Sequence, residues 1–136
     1  MKGFGEKYIA KKKIKNTNQS LSELTSKAFY FHSVGNILEA LKYYKYCINN
    51  ESDNPSVYSN YGLILGKLGK LQEAEEIIYK AIKLDPNFHD AYTNMGNIKM
   101  KLGKLEEAEN LHRKAISISP DFAIAHYNLG ILLINL

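Results

Sequence analysis

The sequence predicts an all-α protein built from repeated antiparallel helix hairpins. One observation is self-similarity: the segment from Ser56 to Phe88 aligns without a gap on the segment from Asp90 to Phe122, an offset of 34 residues. A second is that the large apolar residues in each copy recur every three to four positions, which is the period of a helix rather than of a strand. A unit of this length buries its apolar face by stacking on its neighbours, so the fold class is a helical repeat array.

The same offset sets the bounds of the array. It carries Asp90 to Ile124, where a further copy begins, and carries Ser56 back to Ser22, where a weaker copy keeps Gly35 and Ala40 in register. We therefore expect about 3.5 repeats, at about residues 21–54, 55–88, 89–122 and, as a half repeat, 123–136. Within these repeats we expect first helices near 21–34, 55–68, 89–102 and 123–136, and second helices near 36–50, 71–84 and 105–118.

Small residues recur where two helices of a hairpin must approach closely. Glycine inside a helix costs about 1 kcal/mol relative to alanine, so a glycine column needs a packing reason. Three columns fit a tight helix pair: Gly62, Gly96 and Gly130; Ala40, Ala74 and Ala108; and Cys47, Ala81 and Ala115. Gly35, Gly69 and Gly103 are expected to turn the chain between helices, and Pro86 and Pro120 to separate the repeats.

The 34-residue pattern resembles the tetratricopeptide repeat (TPR), with an aromatic at Tyr58, glycine at Gly62, a small residue at Ala74 and proline at Pro86. The resemblance covers residues 21–136 and departs at three positions often occupied by an aromatic residue: Ile78, His112 and His126. It implies a TPR solenoid, a right-handed superhelical array of helix hairpins with first helices lining the concave wall.

The resemblance also implies a protein–protein interaction scaffold that binds a partner peptide or helix on the concave face. The residues expected there are Ser56, Ser59, Asn60, Leu63, Asp90, Thr93, Asn94, Asn97, Tyr127 and Asn128. Asn60, Asn94 and Asn128 share one repeat position, and an amide both donates and accepts hydrogen bonds. Such a row either binds a peptide backbone or bonds neighbouring helices and orients the repeats; both roles are compatible.

A clamp for a partner's C-terminal carboxylate is not expected. In related repeats that clamp requires Lys or Arg together with Asn on three successive first helices. This chain offers Thr25, Phe29, Asn60, Asp90 and Asn94 at the corresponding places, and Asp90 has the wrong charge for an anion.

The final segment, LGILLINL, supplies a first helix without a second one. Repeat arrays usually end in a polar capping helix. The chain is then a fragment of a longer array, or its last helix is an imperfect cap, or two chains pair. We expect self-association through Leu129, Ile131, Leu132, Leu133 and Leu136. Alternative functions are a structural, oligomerising array, or a non-catalytic substrate-presenting region of a larger multidomain enzyme.

Charge is concentrated at the start of the chain. The first 20 residues hold six lysines and one glutamate, a formal charge of +5. Because the whole chain has a formal charge of +4, the remaining residues have a formal charge of −1. We expect residues 1–20 to be a basic, disordered tail. Without interleaved aromatic residues or an arginine-rich patch, the sequence does not predict a nucleic-acid partner.

The sequence shows no pattern typical of catalysis. The four histidines, His32, His89, His112 and His126, lack metal-ligand spacing, and no nucleophile–base arrangement or phosphate-binding loop is present. We expect no enzyme activity, cofactor or metal site. The chain has one cysteine, Cys47, expected to be a buried packing residue, and no apolar run of membrane-spanning length. We expect a cytoplasmic protein with a protein or peptide partner and no membrane contact.

Overall fold

The computed structural model describes residues 19–136, and every regular element in this range is a helix. The helices are α1 (Leu21–Ser33), α2 (Ile37–Asn49), α3 (Pro55–Lys67), α4 (Leu71–Leu84), α5 (His89–Lys101), α6 (Leu105–Ile118) and α7 (Ala123–Ile134). The all-α hairpin array predicted from the sequence is confirmed. The predicted tail lies outside the described residues except for its last two positions, and the exact repeat boundaries stay a prediction.

The three hairpin turns share one geometry. Gly35, Gly69 and Gly103 have φ values of 75°, 78° and 75°, in the left-handed region where glycine carries no Cβ penalty. The residue after each glycine donates its backbone N–H to a carbonyl five residues earlier; in the second turn, Lys70 donates to Leu65 at 3.0 Å. This is the Schellman motif, and it ends α1, α3 and α5 alike.

Helix starts are capped where the sequence provides a suitable side chain. Ser20 and Glu23 form a reciprocal capping box at α1, and Asn36 accepts from the backbone of Glu39 at α2. Asn54 caps α3, which begins with Pro55 at its first position. Each cap satisfies a backbone donor that the helix itself cannot pair.

The chain divides into two compact units after Ser52. In the first unit, α1 and α2 form one hairpin around Ala28, Ala40 and Cys47, which are fully buried. Cys47 lies 3.5 Å from the hydroxyl of Thr25, and burial raises the pKa of its thiol. This environment suits the packing role expected for Cys47.

In the second unit, α3–α4 and α5–α6 form hairpins that pack in sequence, and α7 packs on α6 and α5. The first helices also touch one another, α3 with α5 and α5 with α7. A Cβ at Gly96 would lie 2.6 Å from Cε1 of His112, and one at Gly62 would overlap the side chain of Ile78. Gly62 and Gly96 therefore have the packing reason that the sequence suggested, whereas a Cβ at Gly130, in the same column, would meet nothing within 4 Å.

The two histidines that depart from the repeat pattern, His112 and His126, make the contacts that the corresponding residues make one repeat earlier. The ring of His112 takes the place of Ile78 against the glycine column and is fully buried. His126 Nε2 lies 2.7 Å from the carbonyl of Pro120, as the hydroxyl of Tyr92 donates to the carbonyl of Pro86 at 2.8 Å. The imidazole thus keeps the bond to the preceding inter-repeat turn that an aromatic hydroxyl makes one repeat earlier.

Candidate functional site

The first helices of the second unit enclose a groove with a cavity volume of about 290 Å³. Leu63 and Gly66 line it from α3, and Ile98 and Met100 from α5. Its polar lining consists of Lys67, Asn94, Asn97, Lys101 and Asn128. We call this the first-helix groove. It combines an apolar surface with amide and ammonium groups, which can contact both the side chains and the backbone of a polypeptide.

Two asparagines in the groove hydrogen-bond across neighbouring first helices. Nδ2 of Asn94 on α5 donates to Oγ of Ser59 on α3 at 3.0 Å. Nδ2 of Asn128 on α7 donates to Oδ1 of Asn97 on α5 at 2.9 Å. These bonds support the structural role considered for the asparagine column. The carbonyl oxygens of Asn94 and Asn128 and the amide nitrogen of Asn97 are not used in them.

Two of the residues expected on the binding face are buried instead. Ser59 is 0% exposed and Thr93 is 2% exposed. Because α3 packs on α5 and α5 on α7, the helix side that faces the neighbouring first helix is closed to a ligand. The expectation that Ser59 and Thr93 are open to a peptide is therefore corrected: Ser59 acts through Asn94, and Thr93 belongs to the interior.

The other expected residues divide between the groove and its surroundings. Leu63, Asn94, Asn97 and Asn128 line the groove, and their contact with a ligand stays a prediction. The half-buried residues Ser56, Asn60 and Asp90 and the exposed Tyr127 lie on first helices outside its lining.

Two lysines of the groove, Lys67 and Lys101, were not among the binding residues expected from the sequence. Lys67 and Lys101 occupy the same repeat position, each as the last residue of a first helix. Nζ of Lys101 donates to the carbonyl of Gly66 at 3.0 Å, which places it at the end of α3 beside Lys67. The 34-residue recurrence of lysine on first helices was a signal that could have identified both.

A third lysine is engaged in packing rather than in the groove. Lys99 stands where the neighbouring repeats have leucine, and its ammonium pairs with Glu75 on α4 and, at 2.8 Å, with Glu107 on α6. The hydrogen bonds that Lys99 donates to Glu107 and Glu75 raise the pKa of Lys99, and the bond to Glu107 lowers the pKa of that carboxyl group. Lys99 thereby ties two successive hairpins together.

The predicted self-association surface is only partly exposed. Leu129 is 8% exposed and Leu132 is 0% exposed, because both pack inward where α7 meets the preceding helices. Their assignment to an intermolecular surface is corrected. Leu133 and Leu136 are exposed and Ile131 is half-buried, while Ile134, which the sequence reasoning omitted, is 85% exposed.

Over residues 19–136, no helix is both long and apolar enough to cross a bilayer. Within the same range, the histidine, cysteine, aspartate and glutamate side chains form no group of three able to bind a metal ion. These findings concern the described part of the chain alone.

Comparisons with known proteins give the family. Two models described as "Tetratricopeptide repeat" match residues 55–88 and 78–110, and one described as "TPR repeat" matches residues 96–136. The comparison with curated proteins gives no match.

Among solved structures, the TPR domain of Arabidopsis OM64 is 22% identical, with a TM-score of 0.78 over 85% of this chain and 96% of that one. The second TPR domain of human RPAP3, in complex with the HSP70 peptide SGPTIEEVD, is 25% identical, with a TM-score of 0.71 over 80% and 91%. An O-GlcNAc transferase from Thermobaculum terrenum is 25% identical, with a TM-score of 0.79 over 83% of this chain but 22% of that one.

The matched models together extend from residue 55 to residue 136, a range that contains α3 to α7, and the first of them spans the α3–α4 hairpin. The chain belongs to the tetratricopeptide-repeat family.

Proposed function

We propose that the chain is a protein–protein interaction module whose first-helix groove binds an extended segment of a partner protein. The observation that carries the proposal is the groove itself, in which Leu63 and Met100 offer apolar contact beside the amides of Asn94 and Asn97. The peptide bound by the human RPAP3 domain supports a peptide as the kind of ligand. The proposal assigns the chain no catalytic role or cofactor, and it places the protein in the cytoplasm.

The spacing of the amides suits an extended backbone. Packed helices lie about 8–10 Å apart, and an extended chain rises about 3.3 Å per residue. A peptide that crosses from α5 to α7 therefore meets the equivalent amides of Asn94 and Asn128 about three residues apart. The carbonyl of Asn94, which the bond to Ser59 does not use, would accept from a peptide N–H, and the amide nitrogen of Asn97 would donate to a peptide carbonyl.

Selection of peptides from a random display library on the full chain tests this proposal. Leu63→Arg places a bulky charge in the groove, and Leu68→Arg makes the same change at an exposed position outside it, at the end of the same helix. Selected peptides should lose at least about tenfold in affinity for the Leu63→Arg variant, the loss of roughly one apolar anchor, and retain affinity for Leu68→Arg. Failure to select any peptide, or equal binding to both variants, would reject the groove as the site.

A second candidate function is a substrate-presenting region of a larger enzyme. The observation in its favour is the likeness to an O-GlcNAc transferase of which this chain covers 22%. Reading the encoding gene beyond codon 136 tests it: a catalytic domain in the same frame would support it, and a stop codon would oppose it. In the first case the groove would position the protein substrate of that domain.

Self-association through α7 is part of the proposal as well. Leu133, Ile134 and Leu136 expose apolar surface, and a Cβ at Gly130 would meet nothing within 4 Å. Sedimentation across a concentration series should show a dimer that Ile134→Glu abolishes. The matched variant Tyr79→Glu alters an exposed residue on α4 and should leave it intact. A monomer at every concentration would reject both the dimer and the oligomerising-array alternative.

A further inference from the structure

Resting on the proposed peptide-binding function, we propose that the first-helix groove selects a segment with an internal acidic residue whose side-chain carboxylate binds between Lys67 and Lys101. The occupant is a stretch of Asp- or Glu-containing polypeptide with an apolar neighbour. The proposal concerns an acidic side chain and not a terminal carboxylate.

The acidic residues on the helices of the second unit lie almost entirely on the second helices. The first helices α3, α5 and α7 carry three lysines and a single acidic residue, Asp90, which does not line the groove. The second helices α4 and α6 carry four basic residues and six glutamates: Glu73, Glu75, Glu76, Glu106, Glu107 and Glu109. Among the residues that line the groove, the charged ones are Lys67 and Lys101. The groove is therefore basic in a unit whose formal charge is −1, and a basic patch of this kind favours an acidic ligand.

The groove lysines differ from Lys99, whose charge is already compensated by Glu75 and Glu107. Among residues 19–136, no ion pair involves Lys67 or Lys101. Lys101 instead donates to the carbonyl of Gly66, the residue next to Lys67. The Lys101 ammonium is thus held beside the backbone that precedes Lys67, and both lysines line the groove. A carboxylate bound between these two side chains would accept from both.

The rest of the lining limits where the acidic residue lies in the segment. Leu63, Ile98 and Met100 form apolar surface beside the lysines, and Asn128 continues the polar lining onto α7. A peptide whose acidic side chain reaches Lys67 and Lys101 would place an adjacent apolar residue on this surface. Its backbone would continue past Asn97 toward Asn128. The proposal assigns the carboxylate to the side chain of an internal residue, which peptides with amidated C-termini distinguish from a terminal carboxylate.

The chain contains a matched control for these two lysines. Lys70 and Lys104 are also exactly one repeat apart, are exposed, and precede α4 and α6 without lining the groove. The double variants K67E/K101E and K70E/K104E therefore change the net charge equally. Because Lys70 and Lys104 do not line the groove and salt weakens the interactions of exposed charges, the first pair should alter what the groove selects much more strongly than the second.

The experiment is selection from a random library of peptides with amidated C-termini, presented to the full chain and to both double variants. The wild type and K70E/K104E should enrich Asp or Glu at one position next to an apolar residue, and K67E/K101E should enrich Lys or Arg there. An acidic peptide selected on the wild type should bind K67E/K101E about tenfold or more weakly, as reversal of two exposed ion pairs implies. It should bind K70E/K104E within about twofold of the wild type, as screening implies.

The outcomes separate this inference from the proposed function. Peptides that bind the wild type, lose affinity for Leu63→Arg and show no acidic preference would overturn the acidic selectivity and leave peptide binding in the groove intact. Binding that appears only with a free C-terminal carboxylate would overturn it too. Failure to select any peptide would reject the underlying peptide-binding function.

Discussion

Substitution of Gly96 by alanine should destabilise the second unit even though alanine is the better helix former. The new Cβ would lie 2.6 Å from Cε1, 2.8 Å from Nε2 and 2.9 Å from Nδ1 of His112. Carbon atoms pack best at about 3.5–4.0 Å, so α5 and α6 would have to separate by roughly 1 Å. The ring of His112 cannot swing into solvent to relieve the overlap because it is fully buried.

Gly130 provides the control that isolates this effect. It holds the same repeat position on α7, but a Cβ there would meet nothing within 4 Å. Both substitutions gain the helix propensity of alanine, about 1 kcal/mol, and only Gly96→Ala adds overpacking of about 1–3 kcal/mol. The free energy of unfolding of Gly96→Ala should therefore be about 1–3 kcal/mol lower than that of Gly130→Ala.

Urea denaturation followed by circular dichroism measures this difference. In a His112→Ala background the obstruction is removed, and Gly96→Ala should then stabilise the protein as Gly130→Ala does. Equal stabilisation by the two alanines in the wild-type background would refute the packing role assigned to the glycine column. So would a penalty for Gly96→Ala that persists without the His112 ring.

Three further predictions concern single side chains. Burial lowers the pKa of His112 below its ordinary 6.5, so the unfolded chain binds the proton first as the pH falls. The free energy of unfolding should therefore be greatest above about pH 6.5 and decrease below it. A His112→Leu variant should lose this part of the pH dependence in urea titrations. Asn94→Ala and Ser59→Ala should each lower stability by about 0.5–1.5 kcal/mol, with a non-additive double variant if their hydrogen bond is the cause. In thermal denaturation, Lys99→Leu should be neutral or stabilising, since apolar packing can replace a partly buried ion network, and Lys99→Ala should be destabilising. A destabilised Lys99→Leu variant would show that the ion network itself is required.

The sequence predicted the hairpins well because its strongest signals are local. A glycine before each second helix meets a left-handed backbone requirement that few other residues satisfy, and Gly69 adopts that conformation with φ 78°. The columns of Gly62 and Ala74 likewise report the close approach of one helix to its partner, which the structure confirms. Such positions have a single packing reason, so residue type alone identifies them.

The first helices were harder to interpret because a first helix contacts its hairpin partner, contacts neighbouring first helices and also lines the groove. Ser59 and Asn60 are adjacent in the sequence, yet Ser59 is fully buried and Asn60 is half-buried. A helix rotates by about 100° per residue, so a small difference in rotation decides which residue faces the neighbouring first helix. A small polar residue such as Ser59 is compatible with a buried or an exposed position. The 34-residue spacing does not show which of the two it occupies.

Residues on different sides of a first helix contribute to different properties, either to stability or to ligand binding. Gly96 faces its hairpin partner and sets how closely α5 and α6 pack, whereas Lys67 and Lys101 end their helices in the groove and are exposed. Changes at the glycine should therefore alter unfolding, and changes at the lysines should alter ligand selection. Asn94 belongs to both groups, because its amide nitrogen joins two first helices and the residue also lines the groove. A loss of binding in Asn94→Ala consequently identifies a ligand contact only if Ser59→Ala, which removes the same interhelical bond, leaves binding unchanged.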